Sequence, residues 1–219
     1  MNIILDGSDI ITGTRAIRRY TLNMVKEFAA GPYSDQFRVL LNCCMKDTSL
    51  VDAIINSSSR FSKLHCCVPR RISFSIWNLF HMPPVNVFQK KADMFHALGD
   101  DCPPVKAHNY IVTLHGVSYL VRPDLIPELY VKNKTQWLKR IVKRADYFIA
   151  VSNDTKENFL NTFTFIDEKR IRVIPLGISP EFKELDKKQI SGLLQSRYSI
   201  HKPYLLYVGA IQPHKNIKG

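Results

Sequence analysis

Along most of its length this chain alternates short apolar runs with amphipathic segments, and that rhythm constrains the fold more than any single motif. "NIILD" stops at Gly7, and "RAIRRYTLNMVKEFAA" then sets Ile17, Leu22, Val25 and Phe28 near helical spacing. "FRVLLNCC", a helical pattern in "DTSLVDAIINS" and "FSKLHCCV" repeat the scheme, ahead of a stretch around Trp77 that Pro83 and Pro84 must break. "DMFHAL", "NYIVTLH", "DYFIAVS" and "RIRVIP" are further strand-like runs. A loop with Pro103 and Pro104, a proline loop leading into a basic helix, and the helix "DTKENFLNTF" divide them. Ser152 or Asn153 can cap that last helix, because a short side-chain oxygen accepts from the free amides of the first turn.

Runs apolar on both faces, separated by helices, require a mostly parallel sheet covered on both sides. The expectation is an α/β protein with a Rossmann-like, mostly parallel sheet and helices on both faces, complete by Pro175. "EFKELDKKQISGLLQSRYSIHKP" then reads as a polar helix and linker before a new strand, "YLLYVG". This sets the domain boundary near residue 200, between a domain over 1–200 and the opening of another over 201–219.

Apolar residues at 45% and charged residues at 23% are ordinary for a folded soluble chain and exclude disordered and collagen-like classes. No apolar run approaches the ~20 residues that cross a bilayer, and "MNIILDGSD" lacks the pattern of a secretory leader, so a cytoplasmic location is expected. Cys43, Cys44, Cys66, Cys67 and Cys102 are odd in number and lack metal-site spacing; they read as reduced thiols, Cys43, Cys44, Cys66 and Cys67 lying in strand-like runs. The net charge of +12 suggests an anionic partner. Lys132, Lys134, Lys139, Arg140, Lys143 and Arg144 lie in one segment without an acidic residue. With Trp137, Leu138, Ile141 and Val142 among them, that helix is compatible with docking on anionic lipid, the alternative being a core-packed helix with one solvated face. Nucleic acid is not expected as a partner, since no recognised binding motif or aromatic platform is present.

Ligands of an open parallel sheet bind beyond the carboxyl ends of its strands, so the loops there are the ones to inspect. The first, "DGSDIITGTRA", is not G-x-G-x-x-G, and no acidic residue follows where a nicotinamide ribose would need one. Gly13 and the helix start after it can hold a phosphate through free amides and the helix dipole, or Gly13 is a plain turn glycine. His115 ends "NYIVTLH" ahead of Gly116 and should project into the mouth of the sheet, where a neutral imidazole can bond a sugar hydroxyl or take a proton. His96 ends "DMFHAL" in a similar place. Either histidine could instead be structural. Lys215, just past a buried run, can reach a diphosphate as a point charge or remain a solvated lysine.

Taken together, "FHAL", "IVTLHGVSYLVRPD", "RADYFIAVSNDTKENF", "KRIRVIPLGISPEF" and "YLLYVGAIQPHKNIKG" resemble, in order and approximate spacing, the retaining glycosyltransferases of family four, which carry two Rossmann-like domains in the GT-B arrangement. The resemblance spans nearly the whole chain. It implies that the first domain is the N-terminal, acceptor-side half and that "YLLYVG" opens a donor-side domain whose remainder is absent, so that the chain looks truncated and inactive by itself. It implies transfer of a hexose, with retention, from a nucleoside diphosphate sugar to a glycan or lipid-linked acceptor, as in polysaccharide or lipopolysaccharide synthesis. A non-catalytic module binding an acceptor or a membrane is the alternative. No metal or cofactor is implied beyond the nucleotide sugar.

By the same resemblance His115 and Lys215 are the catalytic pair, one touching the transferred sugar and the other neutralising the leaving diphosphate. Gly13, Ala16, Gly209 and Lys215 would bind the donor phosphates, and His96, His115 and Gly116 the acceptor. Three departures stand out. "TRAIRRY" replaces a glycine-rich T-G-I-G-R-Y pattern, Ala210 replaces an arginine, and Gly116 replaces a frequent aspartate.

Overall fold

A computed structural model of the chain describes residues 1–42, 48–66, 84–86, 91–99, 102–179, 181–184, 186–209, 211 and 215–217, without the side chains of residues 12, 15, 42, 187 and 188. The readings made for Cys43, Cys44, Cys67, Trp77, Pro83 and Ala210 lie outside the described residues. The chain divides into two compact units, Met1–Ile174 and Pro175–Gly219.

Among the described residues the first unit holds seven strands: β1 (Asn2–Asp6), β2 (Gln36–Asn42), β3 (Phe61–Cys66), β4 (Ala92–Ala97), β5 (Ala107–Leu114), β6 (Tyr147–Ala150) and β7 (Ile171–Val173). They form one sheet in the order β3-β2-β1-β4-β5-β6-β7, and every pairing in it is parallel. Its helices are α1 (Asp9–Thr12), α2 (Arg15–Ala30), α3 (Ser49–Asn56), α4 (Ser118–Val121), α5 (Glu128–Val142) and α6 (Asn153–Thr162).

Strand side chains alternate between faces, and the core splits accordingly. Ile3, Leu5, Phe37, Val39 and Leu41 pack with Val25 of α2 and Val51, Ile54 and Ile55 of α3. Ile4, Leu40, Phe95, Tyr110 and Val112 pack on the other face with Leu138, Ile141 and Val142 of α5 and Phe159 of α6. The α/β sheet with helices on both faces is therefore as the apolar runs require. Ser152 caps α6, its hydroxyl accepting from the Thr155 amide at 3.1 Å.

Arg60 anchors the far end of α2. Its Nη2 donates to the carbonyls of Ala29 and Gly31 at 2.9 Å each, and its Nη1 donates to that of Tyr33. These carbonyls have no partner within the helix, and a guanidinium also complements the negative end of the helix dipole.

For the basic helix the structure shows the core-packed arrangement with one solvated face. Leu138, Ile141 and Val142 of α5 are buried in the core, and Trp137 packs against the same cluster. A helix end that is apolar on one side and cationic on the other buries the apolar side first, because the sheet supplies a dry partner. The exposed apolar side chains are instead Leu129 and Tyr130, in the first turn of α5. Lys134 lies over the rings of both Tyr130 and Trp137, and Arg144 over that of Tyr110.

The second unit holds α7 (Lys187–Tyr198). Tyr204–Val208, expected as a strand, carries no strand pairing, and Leu205, Leu206 and Val208 are exposed. An extended segment becomes a strand when a neighbour takes its amides and carbonyls, and no such neighbour is among the described residues. No helix of the described residues is long and apolar enough to cross a membrane.

Candidate active site

In this strand order β2 lies on one side of β1 and β4 on the other, so the connections diverge and leave a crevice beyond the carboxyl ends of β1 and β4. Buried polar side chains gather at that end of the sheet. Asp6, Ser8 and Asp9 follow one another at the end of β1, His96 lies on β4 and Thr113 on β5. Three other buried polar residues lie elsewhere: Asn86 and Thr155 have ordinary structural partners in Lys106 and the Ser152 cap, and Thr21 lies on α2. Since a buried polar group is costly without a partner, a concentration of them at a switch point marks a built site.

His96 and Thr113 face the α2 side of the sheet, opposite in direction to Phe95 and Val112. His96 Nε2 and Thr113 Oγ1 are 2.9 Å apart, and Tyr20 OH lies 3.4 Å from the same hydroxyl. Tyr20 can reach them because α2 starts at the crevice and runs back over the sheet, which carries residue 20 roughly 7–8 Å inward at 1.5 Å per residue. Burial, and secondarily the nearby His115, lower the His96 pKa to about 4, so this ring is neutral at ordinary pH. Burial raises that of the Tyr20 phenol. His96 is 6% exposed and lies beneath the crevice, where its ring engages Thr113.

His115 follows β5 and is half-buried at the crevice. Its Nε2 lies 2.7 Å from the Leu98 carbonyl oxygen. A carbonyl can only accept, so Nε2 carries the proton and, in the neutral ring, Nδ1 keeps its lone pair as an acceptor. The Tyr20 ring meets the imidazole at 4.7 Å between centroids and 81° between planes. Such an edge contact contributes about 0.5–1.5 kcal/mol beyond the area it buries. Gly116 comes next with φ +149°, a conformation side chains rarely adopt, although nothing lies within 4 Å of where a Cβ would sit. Glycine is therefore fitted to the backbone turn at this point and not to crowding.

The first loop divides the donor-phosphate expectations. Gly13 donates its amide to the Asp9 carbonyl at 3.0 Å, and a Cβ there would lie 2.8 Å from Asp9 Cβ. The Gly13 amide is thus engaged, as in a plain turn glycine, and its lack of a side chain makes room for Asp9. The amides of Ala16 and Ile17, in the first turn of α2, have no partner among the described residues. No acidic side chain lies in that turn and Thr14 does not cap it. Ala16 is therefore a position where an anion can meet backbone donors and the positive end of the helix dipole.

Asp9 itself is buried, and its carboxylate presses against Gly99, just past β4. The remaining candidates belong to the second unit. Lys215 is exposed, and a Cβ on Gly209 would lie 2.7 Å from the Tyr207 hydroxyl.

With this geometry in place, residues 18–182 match the sequence profile of Glycosyltransferase Family 4. The chain belongs to that family. It is 23% identical over 116 residues to the O-antigen chain mannosyltransferase B of Escherichia coli, a match spanning 53% of this chain and 30% of that enzyme. It also superposes on the Anabaena protein Alr3699/HepE, whose crystal structure is of a complex with UDP, with a TM-score of 0.48 and 14% identity over 89% of this chain and 49% of that one. The chain thus spans half or less of the length of these relatives.

Sequence reading missed Tyr20, Thr113, Leu98 and Asp9. Thr113 could have been found, since it lies in β5 two residues before His115. Tyr20 could not, because its partners lie on a strand far along the chain.

Proposed function

We propose that this chain supplies the acceptor-side part of a retaining hexosyltransferase, which moves a hexose from a nucleoside diphosphate sugar to a glycan or lipid-linked acceptor without a further cofactor. The observation that carries the reading is His115 at the crevice, with Nε2–H donated to Leu98 and Nδ1 left to accept from a hydroxyl of the transferred sugar. Family membership supports sugar transfer in general. Similarity to an O-antigen mannosyltransferase makes mannose the first sugar to try and polysaccharide synthesis the first setting.

In such a transfer the bond from the anomeric carbon to the diphosphate breaks while the acceptor hydroxyl forms the new bond on the same face. The hydroxyl proton leaves with the diphosphate. Charge develops on the leaving oxygens, so fixed positive groups accelerate the step more than a nucleophile would. The free amides of Ala16 and Ile17 supply one such group, and Lys215, in the proposed donor-side segment 201–219, supplies another. We place the enzyme in the cytoplasm, drawn to an anionic membrane surface by Lys132, Lys139 and Lys143, which are exposed.

The test is release of free nucleotide from a panel of uridine, guanosine and thymidine diphosphate hexoses, mannosyl donors included. The 219-residue chain is expected to match the no-protein control. A two-domain form, with a complete donor-side domain continuing from "YLLYVG", is expected to turn over, and to lose about a hundredfold or more in His115→Ala and in Lys215→Ala. Turnover by the two-domain form that survives His115→Ala would overturn the reading.

A further inference from the structure

His115 follows the last residue of β5 and precedes a glycine with positive φ, so neither strand nor helix geometry fixes its ring. The bond from Nε2 to the Leu98 carbonyl pins one atom of the imidazole. A ring held at one atom still swings about that bond, and Nδ1 swings with it. The second restraint is Tyr20, which meets the imidazole nearly at right angles at 4.7 Å. Tyr20 is itself held, since α2 is anchored at its far end by Arg60 and the phenol reaches Thr113, which His96 engages from below.

We propose that Tyr20 is a positioning residue, which fixes the direction of His115 Nδ1 by ring contact. This rests on the reading of His115 as the residue that meets the sugar. At 3.4 Å the contact from the phenol to Thr113 is long for a hydroxyl pair, whereas the ring contact lies within the normal range for aromatic pairs. Removing the hydroxyl alone should therefore change little, and removing the ring should release the imidazole.

The experiment records histidine-selective 15N spectra of the 219-residue chain, in which the tautomer of His115 is read directly. The native chain and Tyr20→Phe are expected to show His115 as a single Nε2–H tautomer. Tyr20→Leu is expected to lose that pattern and give averaged tautomers, with a native far-ultraviolet spectrum; Tyr20→Met replaces it should the leucine variant not fold. An unchanged His115 signal in the folded non-aromatic variant overturns the proposal. A Phe variant that behaves like the Leu variant overturns the ring-contact basis. In the two-domain enzyme, Tyr20→Leu is expected to lower kcat about tenfold with the donor KM little changed, and Tyr20→Phe to restore it. If His115→Ala leaves turnover intact, the functional reading fails, while the spectra still decide whether Tyr20 positions the ring.

Discussion

The imidazole of His96 and the hydroxyl of Thr113 meet 2.9 Å apart beneath the crevice, joining β4 to β5 through side chains at the point where the sheet opens. Two strands already paired by their backbones gain little rigidity from one more bond. What the bond does is hold a buried polar pair in register below His115 and Tyr20.

Stability should report this pair through pH. The folded-state pKa of His96 is about 4 and the unfolded value is 6.5, so the unfolded chain binds the extra proton between these values. The contribution is present above pH 6.5 and is lost as pH falls toward 4, amounting to about 3 kcal/mol at the bottom of that window. His96→Gln stays neutral throughout. Denaturant unfolding of both chains from pH 7 to 4 should show the native chain losing more stability than the variant. Parallel curves would count against burial of a neutral His96.

Thr113→Val keeps the shape and removes the hydroxyl, leaving the His96 ring nitrogen buried without a partner. A loss of about 1–3 kcal/mol is expected in urea unfolding. Thr113→Ser keeps the hydroxyl and should recover most of it, since the deleted methyl matters less than the orphaned nitrogen. Equal losses in the two variants would argue that methyl packing dominates.

Arg60 places three hydrogen bonds on the carboxyl end of α2. Arg60→Lys keeps the charge but cannot reproduce a planar fork of donors, so it should recover only part of what Arg60→Ala loses, the full loss being about 1.5–3 kcal/mol. Hydrogen exchange of the amides in the last turn of α2 should rise in both variants.

Gly99 and Asp9 should behave as a coupled pair. Gly99→Ala drives a methyl group into the Asp9 carboxylate and is expected to cost about 1–3 kcal/mol. Replacing Asp9 by glycine as well opens the space, so thermal unfolding of the double variant should show less than the summed cost of the two single changes. Strict additivity would mean that the two residues do not meet.

Lys132 and Lys139 on α5, and Lys143 just past its end, are solvent-exposed, in contrast to the helix's buried apolar side. The chain is expected to sediment with vesicles containing anionic lipid, to be released by salt, and to lose binding when all three become glutamine. Equal sedimentation with neutral vesicles would remove the electrostatic basis of the proposal.

Much of the fold was legible because a parallel sheet writes its strands as apolar runs. "NIILD", "DMFHAL" and "DYFIAVS" each overlap a strand, and the helix expected over "RAIRRYTLNMVKEFAA" spans Arg15–Ala30. An apolar run alone could not say that "YLLYVG" carries no strand pairing among the described residues, nor could composition say which side of the basic helix meets the core. His115 was legible from its place at a strand end. The contact that orients it was not, because Tyr20 lies 93 positions from Thr113 and only the folded sheet brings them together.

The place of β1 between β2 and β4 also governs the order in which the sheet can be made. Its partner β2 is synthesised soon after it, but Asn2 donates its amide to Asp93, 91 positions along the chain. At ~5–20 residues per second on the ribosome, the half-sheet β3-β2-β1 waits several seconds for β4. Throughout that interval Ile3, Ile4 and Leu5 form an open apolar edge, a template for pairing with any other nascent chain. The seam that becomes the crevice therefore closes only after β4 is made, and the stretch of synthesis between β3 and β4 is when this apolar edge stands open.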